Sequence, residues 1–429
     1  MPTYLMPAMR YVASPPSTML SRLMIRQGAS PLTRSMATQA RGLPALLEKK
    51  PHDVVITFAK RTAMARARKG QLKDIPALIK ATLEQTKLDP AKLEDICVGT
   101  CHPPSPTYIS RAAALAAGVP ADVPVSAVNR LCGSGLQAIR IIASAIQAGD
   151  MTLGMAVGAE SMSQKCSPSI PEIVPPVDAN FQAHDCVQPM GWTSEMVAQT
   201  YKVPRHKQDE YAFISHSRAE KATKSGVFAD EIIPVELRGA VISVDDTIRP
   251  GTTLEGLSKL KSSFPDWGDA STTAGNASGL GDGAALCILT TRERAEKEGF
   301  EILGKYVTST FVGVEPKYMG IAPVAAVSKV LSQAGLSKED VDVYEINEAF
   351  ASQFAYCVEQ LQIPMDKINP NPTTHAFRIA LSNAYVVAGA RQVVTGLAEL
   401  RRRGGSILCT SMCIGSGMGG AGVFVNESR

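Results

Sequence analysis

Few aromatic residues, little net charge and no long apolar run are found in this chain, and each shortage excludes a class of protein. Aromatic residues make up 5% of the 429 positions and the formal net charge is +4, so no base-stacking or basic nucleic-acid-binding surface is expected. The longest apolar stretch, 139–159, is interrupted by Arg140 and Asp150 and falls short of a membrane span. With 45% hydrophobic residues, the chain is predicted to fold as a soluble globular protein.

Cysteine is sparse as well. The nine cysteines are too few for a disulfide scaffold, and no CxxC pair or Cys/His cluster has zinc-binding spacing. We therefore expect no metal site and a reducing compartment.

Residues 1–47 contain no Asp or Glu, but five Arg and five Ser. This composition is typical of an organelle-import presequence. The alternatives are a ragged terminal tail and an upstream start codon that is not used. The segment is left out of the fold prediction.

From residue 52 onward, short β-type runs alternate with helical patterns, which predicts a layered α/β fold. The predicted helix 135–148 has only Arg140 as a charged residue, so it should be buried between layers. The order also repeats: 88–96 resembles 336–344, and 135–149 resembles 389–404, which suggests an internal duplication. A polar insertion at about 167–271, with a helix at 207–225, separates the halves and is expected to cover a site.

Four turns contain residues that could carry chemistry. Cys132 lies between a predicted strand and the N-terminus of the apolar helix, where the helix dipole favours a thiolate, although for a cysteine taken alone a small core residue in a glycine turn is the favoured interpretation. Asn347 could be a plain helix N-cap. The glycine-rich turns at 412–421, which contains Cys413, and at 273–279 could bring backbone amides close to a reacting carbonyl or be ordinary tight turns.

The order and spacing of these turns together resemble the thiolase family from about residue 50 to the C-terminus. The resemblance implies an α/β thiolase fold with duplicated α/β/α/β/α halves, five-stranded mixed sheets and an inserted loop domain. The implied domains are 48–296 and 297–429, after the presequence-like tail. The matching segments are VNRLCGSGL at 128–136, GAESMS at 158–163 and MGWTSE at 190–195.

Within the family, DCVQPMG at 185–191 resembles the degradative 3-ketoacyl-CoA thiolases, whereas biosynthetic acetoacetyl-CoA thiolases have a histidine before this Met-Gly. The segment at 48–55 is similar to the peroxisomal degradative type. The resemblance therefore implies thiolytic cleavage of 3-ketoacyl-CoA in fatty-acid β-oxidation. The alternatives are an acetoacetyl-CoA thiolase and a catalytically impaired protein that binds acyl-CoA.

The resemblance also implies a role for each site residue. Cys132 attacks the keto carbon, and the acyl group that it holds is then transferred to a second CoA. Cys413 donates a proton to the leaving carbanion and later activates CoA. The amides of Cys132 and Gly415 form one oxyanion hole, Asn347 holds a water in the other, and Ser278 lines the CoA tunnel.

The chain departs from the family pattern at one place. Family members have a Gly-His-Pro motif whose histidine activates the nucleophile, but Asn383 stands at that position and the two preceding glycines are Ala376 and Phe377. Asparagine is not a base. Three explanations remain open: a splice or frameshift error in the predicted gene, a variant whose base is His375, and a true loss of the catalytic histidine.

The expected partners are acyl-CoA and CoA, with no permanently bound cofactor and no nucleic acid, and a homodimer or homotetramer is implied by resemblance. The N-terminal composition predicts the mitochondrial matrix, with the peroxisomal matrix as the alternative.

Overall fold

Two similar series of strands and helices follow one another along the chain. The computed structural model describes residues 42–68, 78–103, 105–163, 174–237, 239–369 and 387–428. The strands are β1 (Val54–Arg61), β2 (Ala65–Arg66), β3 (Asp95–Gly99), β4 (Val125–Val128), β5 (Leu153–Ser161), β6 (Val235–Leu237), β7 (Ala240–Ile242), β8 (Gly281–Thr291), β9 (Gly304–Gly313), β10 (Val343–Ile346), β11 (Ile407–Ile414) and β12 (Met418–Asn426).

The helices are α1 (Leu43–Leu47), α2 (Leu78–Thr86), α3 (Pro106–Ala116), α4 (Ser134–Ala148), α5 (Pro175–Asp178), α6 (Phe181–Asp185), α7 (Met190–Thr200), α8 (Arg205–Lys224), α9 (Leu254–Ser258), α10 (Arg292–Glu298), α11 (Ala322–Ala334), α12 (Ala351–Leu361) and α13 (Ala388–Arg403). None of these described helices is both long and apolar enough to cross a bilayer.

The strand order shows the duplication. The N-terminal half has the order β4-β3-β5-β8-β1, and the C-terminal half has β10-β11-β12-β9. The halves are joined where β1 pairs with β9 at Val55↔Lys305 and Ile56↔Gly304. Parallel pairs (β3 with β4 and β5, β10 with β11) occur beside antiparallel ones. The predicted five-stranded mixed sheet is complete in the N-terminal half. The described part of the C-terminal half contains four strands. At its outer edge, Ile368 forms a single parallel bridge with Tyr344 of β10.

Helices α4 and α13 form the middle layer between the two parts of the sheet. A Cβ atom built on Gly389 in α13 would lie 2.3 Å from the backbone nitrogen of Leu136 in α4, so only glycine permits this approach. Successive β11 residues face different cores, because side chains alternate along a strand: Leu408 packs in the core that contains α4 and α13, whereas Ile407 packs in the core that contains α11. The predicted burial of helix 135–148 is confirmed.

Other predicted elements are found with small shifts in their ends. The insertion contains α5 to α9 and the β6–β7 hairpin, and its predicted helix 207–225 is α8. Helix α11 is followed by Gly335, which adopts the left-handed conformation as its C-cap. Helix α1 lies within the predicted tail, but Leu43 and Leu46 pack against the core that contains α11.

Candidate functional site

The turn that carries Cys132 is held by its own polar side chains. It follows β4 and leads into α4, and Leu131 adopts φ 47°. Asn129 Oδ1 accepts a hydrogen bond from the backbone N–H of Leu131 (2.9 Å), and Ser134 Oγ accepts one from that of Arg130 (2.8 Å) and donates to Leu131 O (2.7 Å). These bonds place the half-buried Cys132 two residues before α4. At this position the positive end of the helix dipole favours a thiolate.

Cys413 has a different environment. It lies near the end of β11 and is 1% exposed, in a small apolar cluster with Met319 and Ala349. Asn347 Nδ2 is 4.0 Å from Cys413 Sγ, at the outer limit for a hydrogen bond to sulfur. Apolar burial disfavours a charged thiolate, so the Cys413 site suits a thiol that gives up its proton only when a substrate group accepts it.

The two cysteine segments touch, although about 280 residues separate them in the sequence. A Cβ atom built on Gly133 would lie 2.5 Å from Ile414 Cδ1, and one built on Gly415 would lie 2.9 Å from Leu131 Cδ1. A larger residue at either position would clash with the opposing side chain, that of Ile414 or Leu131, which would have to move. The glycines of both predicted turns therefore serve a close approach, which the ordinary tight-turn interpretation does not require.

Asn347 follows β10 and is fully buried. Its backbone N–H donates to Ser411 O (2.9 Å), which fixes it beside β11. Its side-chain Oδ1 has no hydrogen-bond partner among the described residues. The N-cap interpretation of Asn347 is wrong, because α12 begins at Ala351 and its N-cap is Phe350. Phe350 remains extended because it forms a bridge with Ala277.

Ser278 lies beside this segment. Its backbone N–H donates to Ala349 O (3.1 Å), and its side chain is half-buried. The glycine- and serine-containing turn at 273–279 is thus attached to the residues that follow Asn347.

Glu348 is a buried acid that the sequence prediction missed. Ser215 Oγ donates to its Oε2 (2.7 Å) and Asn369 Nδ2 donates to its Oε1 (2.9 Å). Burial is the main cause that raises the pKa of Glu348 to about 7, whereas these hydrogen bonds and the charges of Arg218 and Arg391 act in the opposite direction. An acid immediately after Asn347 was the available signal, but its partners come from distant segments.

The altered motif lies outside the described residues, and so do His375 and Asn383. The last described residue before the motif is Asn369, which is buried and has φ 43°. Its side chain accepts a hydrogen bond from Ile346 N (2.9 Å) and donates to Ile346 O (3.0 Å), so this end of the segment is attached beside Asn347.

Family models match nearly the whole described chain. The N-terminal domain of thiolase matches residues 54–293 and the C-terminal domain of thiolase matches residues 300–426. A peroxisomal 3-ketoacyl-CoA thiolase from Homo sapiens is 44% identical over 87% of this chain and 90% of its own length.

Solved structures of thiolases are similar to this chain as well. The dimeric peroxisomal thiolase of Saccharomyces cerevisiae has a TM-score of 0.84 and 39% identity, with 90% of this chain and all of that chain covered. Human mitochondrial 3-ketoacyl-CoA thiolase in complex with CoA has a TM-score of 0.79 and 33% identity, with 89% and 100% covered.

The predicted mitochondrial location is wrong. The relatives with the higher identities, from human and yeast, are peroxisomal proteins, and the mitochondrial enzyme is less similar. The prediction failed because an arginine- and serine-rich composition without acids is a weak signal that is independent of the folded domain. The similarity of the body to the peroxisomal type was the better guide. By its two family matches, its fold and its identity to these enzymes, the chain belongs to the thiolase family.

Proposed function

We propose that this chain is a 3-ketoacyl-CoA thiolase that uses CoA to cleave 3-ketoacyl-CoA in fatty-acid β-oxidation. One observation carries the proposal: the Cys132 turn at the start of α4 lies directly against the end of β11, where Cys413 is buried. A nucleophilic thiolate and a proton-donating thiol on one substrate are what a two-step acyl transfer needs.

In the first step, the Cys132 sulfur attacks the keto carbon, and the bond between C2 and C3 of the substrate breaks. The carbanion that leaves takes a proton from Cys413, which yields acetyl-CoA. In the second step, the CoA thiol gives its proton to Cys413 and attacks the acyl thioester. Cys132 then leaves as a thiolate, so protons and charges balance over the cycle.

Three further residues support these steps. The amides of Cys132 and Gly415 donate to the oxyanion, which is worth most where donors are fixed and water is excluded. Asn347 holds a water for the other oxyanion, which agrees with its buried Oδ1 without a partner among the described residues. Ser278 contacts CoA from the half-buried turn beside Ala349.

The identity of the base that activates Cys132 depends on which of the three explanations of the altered motif holds. A gene-prediction error would leave an ordinary histidine there, and His375 is the candidate base if the sequence is genuine. The transcript sequence across codons 369–391 decides between an error and a real change. The change itself favours one second candidate, an impaired protein that binds acyl-CoA without cleaving it.

Cleavage assays with acetoacetyl-CoA and a long-chain 3-ketoacyl-CoA test the proposal. We expect acetyl-CoA release from both and an acyl adduct on the Cys132 peptide by mass spectrometry. Cleavage of acetoacetyl-CoA alone would indicate an acetoacetyl-CoA thiolase. CoA binding without any cleavage or adduct would leave the impaired binder.

The similarity to peroxisomal relatives and to a dimeric yeast enzyme supports a peroxisomal homodimer. Co-localisation of the fluorescently tagged full chain with a peroxisomal marker tests the location, and light scattering of the purified protein tests the dimer.

A further inference from the structure

A third thiol, that of Cys101, reaches the turn that carries Cys132. It belongs to the segment that leaves β3, the strand paired in parallel with β4. The pairing continues one step past the strands, because Thr100 N donates to Val128 O (3.1 Å). The buried carboxylate of Glu160 then accepts a hydrogen bond from the backbone N–H of Cys101 (3.0 Å). The Cys101 backbone is therefore fixed at the edge of the nucleophile turn.

The thiol contacts the two side chains that hold this turn. Cys101 Sγ–H donates to Asn129 Oδ1 (3.1 Å), and Sγ lies 3.8 Å from Ser134 Oγ. Asn129 and Ser134 are the residues whose side chains bond the backbone of Arg130 and Leu131. Cys101 thus contacts the side chains that hold the backbone leading to Cys132.

The charge state of Cys101 suits this position. Burial raises the pKa of its thiol well above the ordinary value, and the nearby charges of Glu160 and Cys132 raise it further. Cys101 therefore stays protonated near neutral pH, as a donor must. A neutral thiol also adds no repulsion to a thiolate on Cys132.

We propose that Cys101 is a positioning residue for Cys132: its thiol holds Asn129 and Ser134, and through them it aligns the nucleophile with the N-terminus of α4. The role of Cys132 in this inference rests on the proposed function. The alignment itself is a property of the free protein and is measurable without substrate.

Three variants test the proposal. Cys101→Ala removes the donor, Cys101→Ser keeps a donor of similar size, and Cys97→Ala is the matched control. Cys97 lies four residues earlier on the same segment and is fully buried, so its loss perturbs β3 without touching the nucleophile turn. The measurement is the alkylation rate of the Cys132 peptide by iodoacetamide from pH 6 to 10, followed by mass spectrometry, together with kcat and KM.

In Cys101→Ala we expect the alkylation profile of Cys132 to move to higher pH. Its rate at pH 7 and kcat should each fall about fivefold, the effect of one lost hydrogen bond, with KM within twofold. Cys101→Ser should restore both values, and Cys97→Ala should lower only the melting temperature.

Two results would overturn the proposal: an unchanged profile in Cys101→Ala, or an equal shift in Cys97→Ala, which would reduce Cys101 to a packing role. If Cys101→Ala shifts the alkylation profile as expected but the wild type does not cleave 3-ketoacyl-CoA, the proposed function fails while the positioning role stands.

Discussion

The turn that carries Cys132 and the strand end that carries Cys413 lie against each other, yet they are built differently. Cys132 is half-buried, outside regular structure, between the edge strand β4 and helix α4. Cys413 is inside β11, paired with Gly419 of β12, and is almost inaccessible to solvent. The same side chain thus meets a helix terminus in one half of the molecule and an apolar pocket in the other.

This difference supports the separate roles that we propose for the two cysteines. A helix N-terminus stabilises negative charge, which a nucleophile needs, and apolar surroundings preserve a neutral thiol, which a proton donor needs. The duplication supplied two similar frameworks, and the local environment at the ends of their strands separates their uses.

Loss of the nucleophile should have the largest effect. We expect Cys132→Ala to lower kcat/KM for acetoacetyl-CoA cleavage by about 10⁴-fold or more, because no covalent intermediate can form. Cleavage assays and the absence of an acyl adduct check this. Cys287→Ala, a buried cysteine of β8, is the control and should remain active. Retention of a tenth of the activity in Cys132→Ala would invalidate the contrast between the two cysteines.

Loss of the proton donor should cost less. For Cys413→Ala we expect a fall in kcat of about 10³-fold, within the range of general acid–base catalysis. The alkylation rate of Cys132 should change less than twofold, because the nucleophile turn is intact. If Cys413→Ala instead abolished alkylation of Cys132, the two thiols would act as one unit and the comparison would fail.

The sequence predicted the parts of this site better than their assembly. Strand–turn–helix order and the buried helix α4 are local patterns, and the structure confirms them. The contact of Gly133 with Ile414 depends on the packing of α4 against α13, which joins segments more than 200 residues apart. Local periodicity contains no information about such a distance.

The misses have the same physical origin. The N-cap interpretation of Asn347 failed because a bridge to Ala277 keeps Phe350 extended and delays α12. Cys101 was not singled out, since a cysteine after a strand has no motif of its own. Glu348 was missed because its partners Ser215 and Asn369 come from the insertion and from the segment after α12, and neither contact follows a local spacing pattern.

Glu348 gives the Cys413 side of the site a pH dependence that can be measured. Its pKa is about 7 in the folded protein, against an ordinary 4.5, so the folded protein holds a proton that the unfolded chain releases. The contribution of Glu348 to the free energy of unfolding should therefore fall as pH rises from about 4.5 to 7, by about 3 kcal/mol, and then level off. Urea unfolding across this range measures it.

The variant Glu348→Gln removes this titration, so its free energy of unfolding should fall less than that of the wild type between pH 5 and 7. The control is Glu298→Gln. The Glu298 carboxylate accepts hydrogen bonds from Lys92 and Arg294, and its replacement should leave the pH dependence of the free energy of unfolding unchanged in this range. Parallel curves for the wild type and Glu348→Gln would show that Glu348 is ionised in the folded protein.

The smallest effect is expected for Ser278, at the edge of the site. Its replacement tests substrate binding, whereas replacement of the two cysteines tests the chemical steps. Ser278 is attached by its backbone to Ala349, so Ser278→Ala should leave that attachment intact and remove only the hydroxyl. We expect KM for CoA to rise about threefold with kcat within a factor of two, as for the loss of one exposed hydrogen bond. Initial rates at varied CoA concentration measure both constants, and Ser328→Ala on the outer helix α11 is the control. A fall in kcat at unchanged KM would instead place this hydroxyl beside the reacting atoms, in the same group as Cys132 and Cys413.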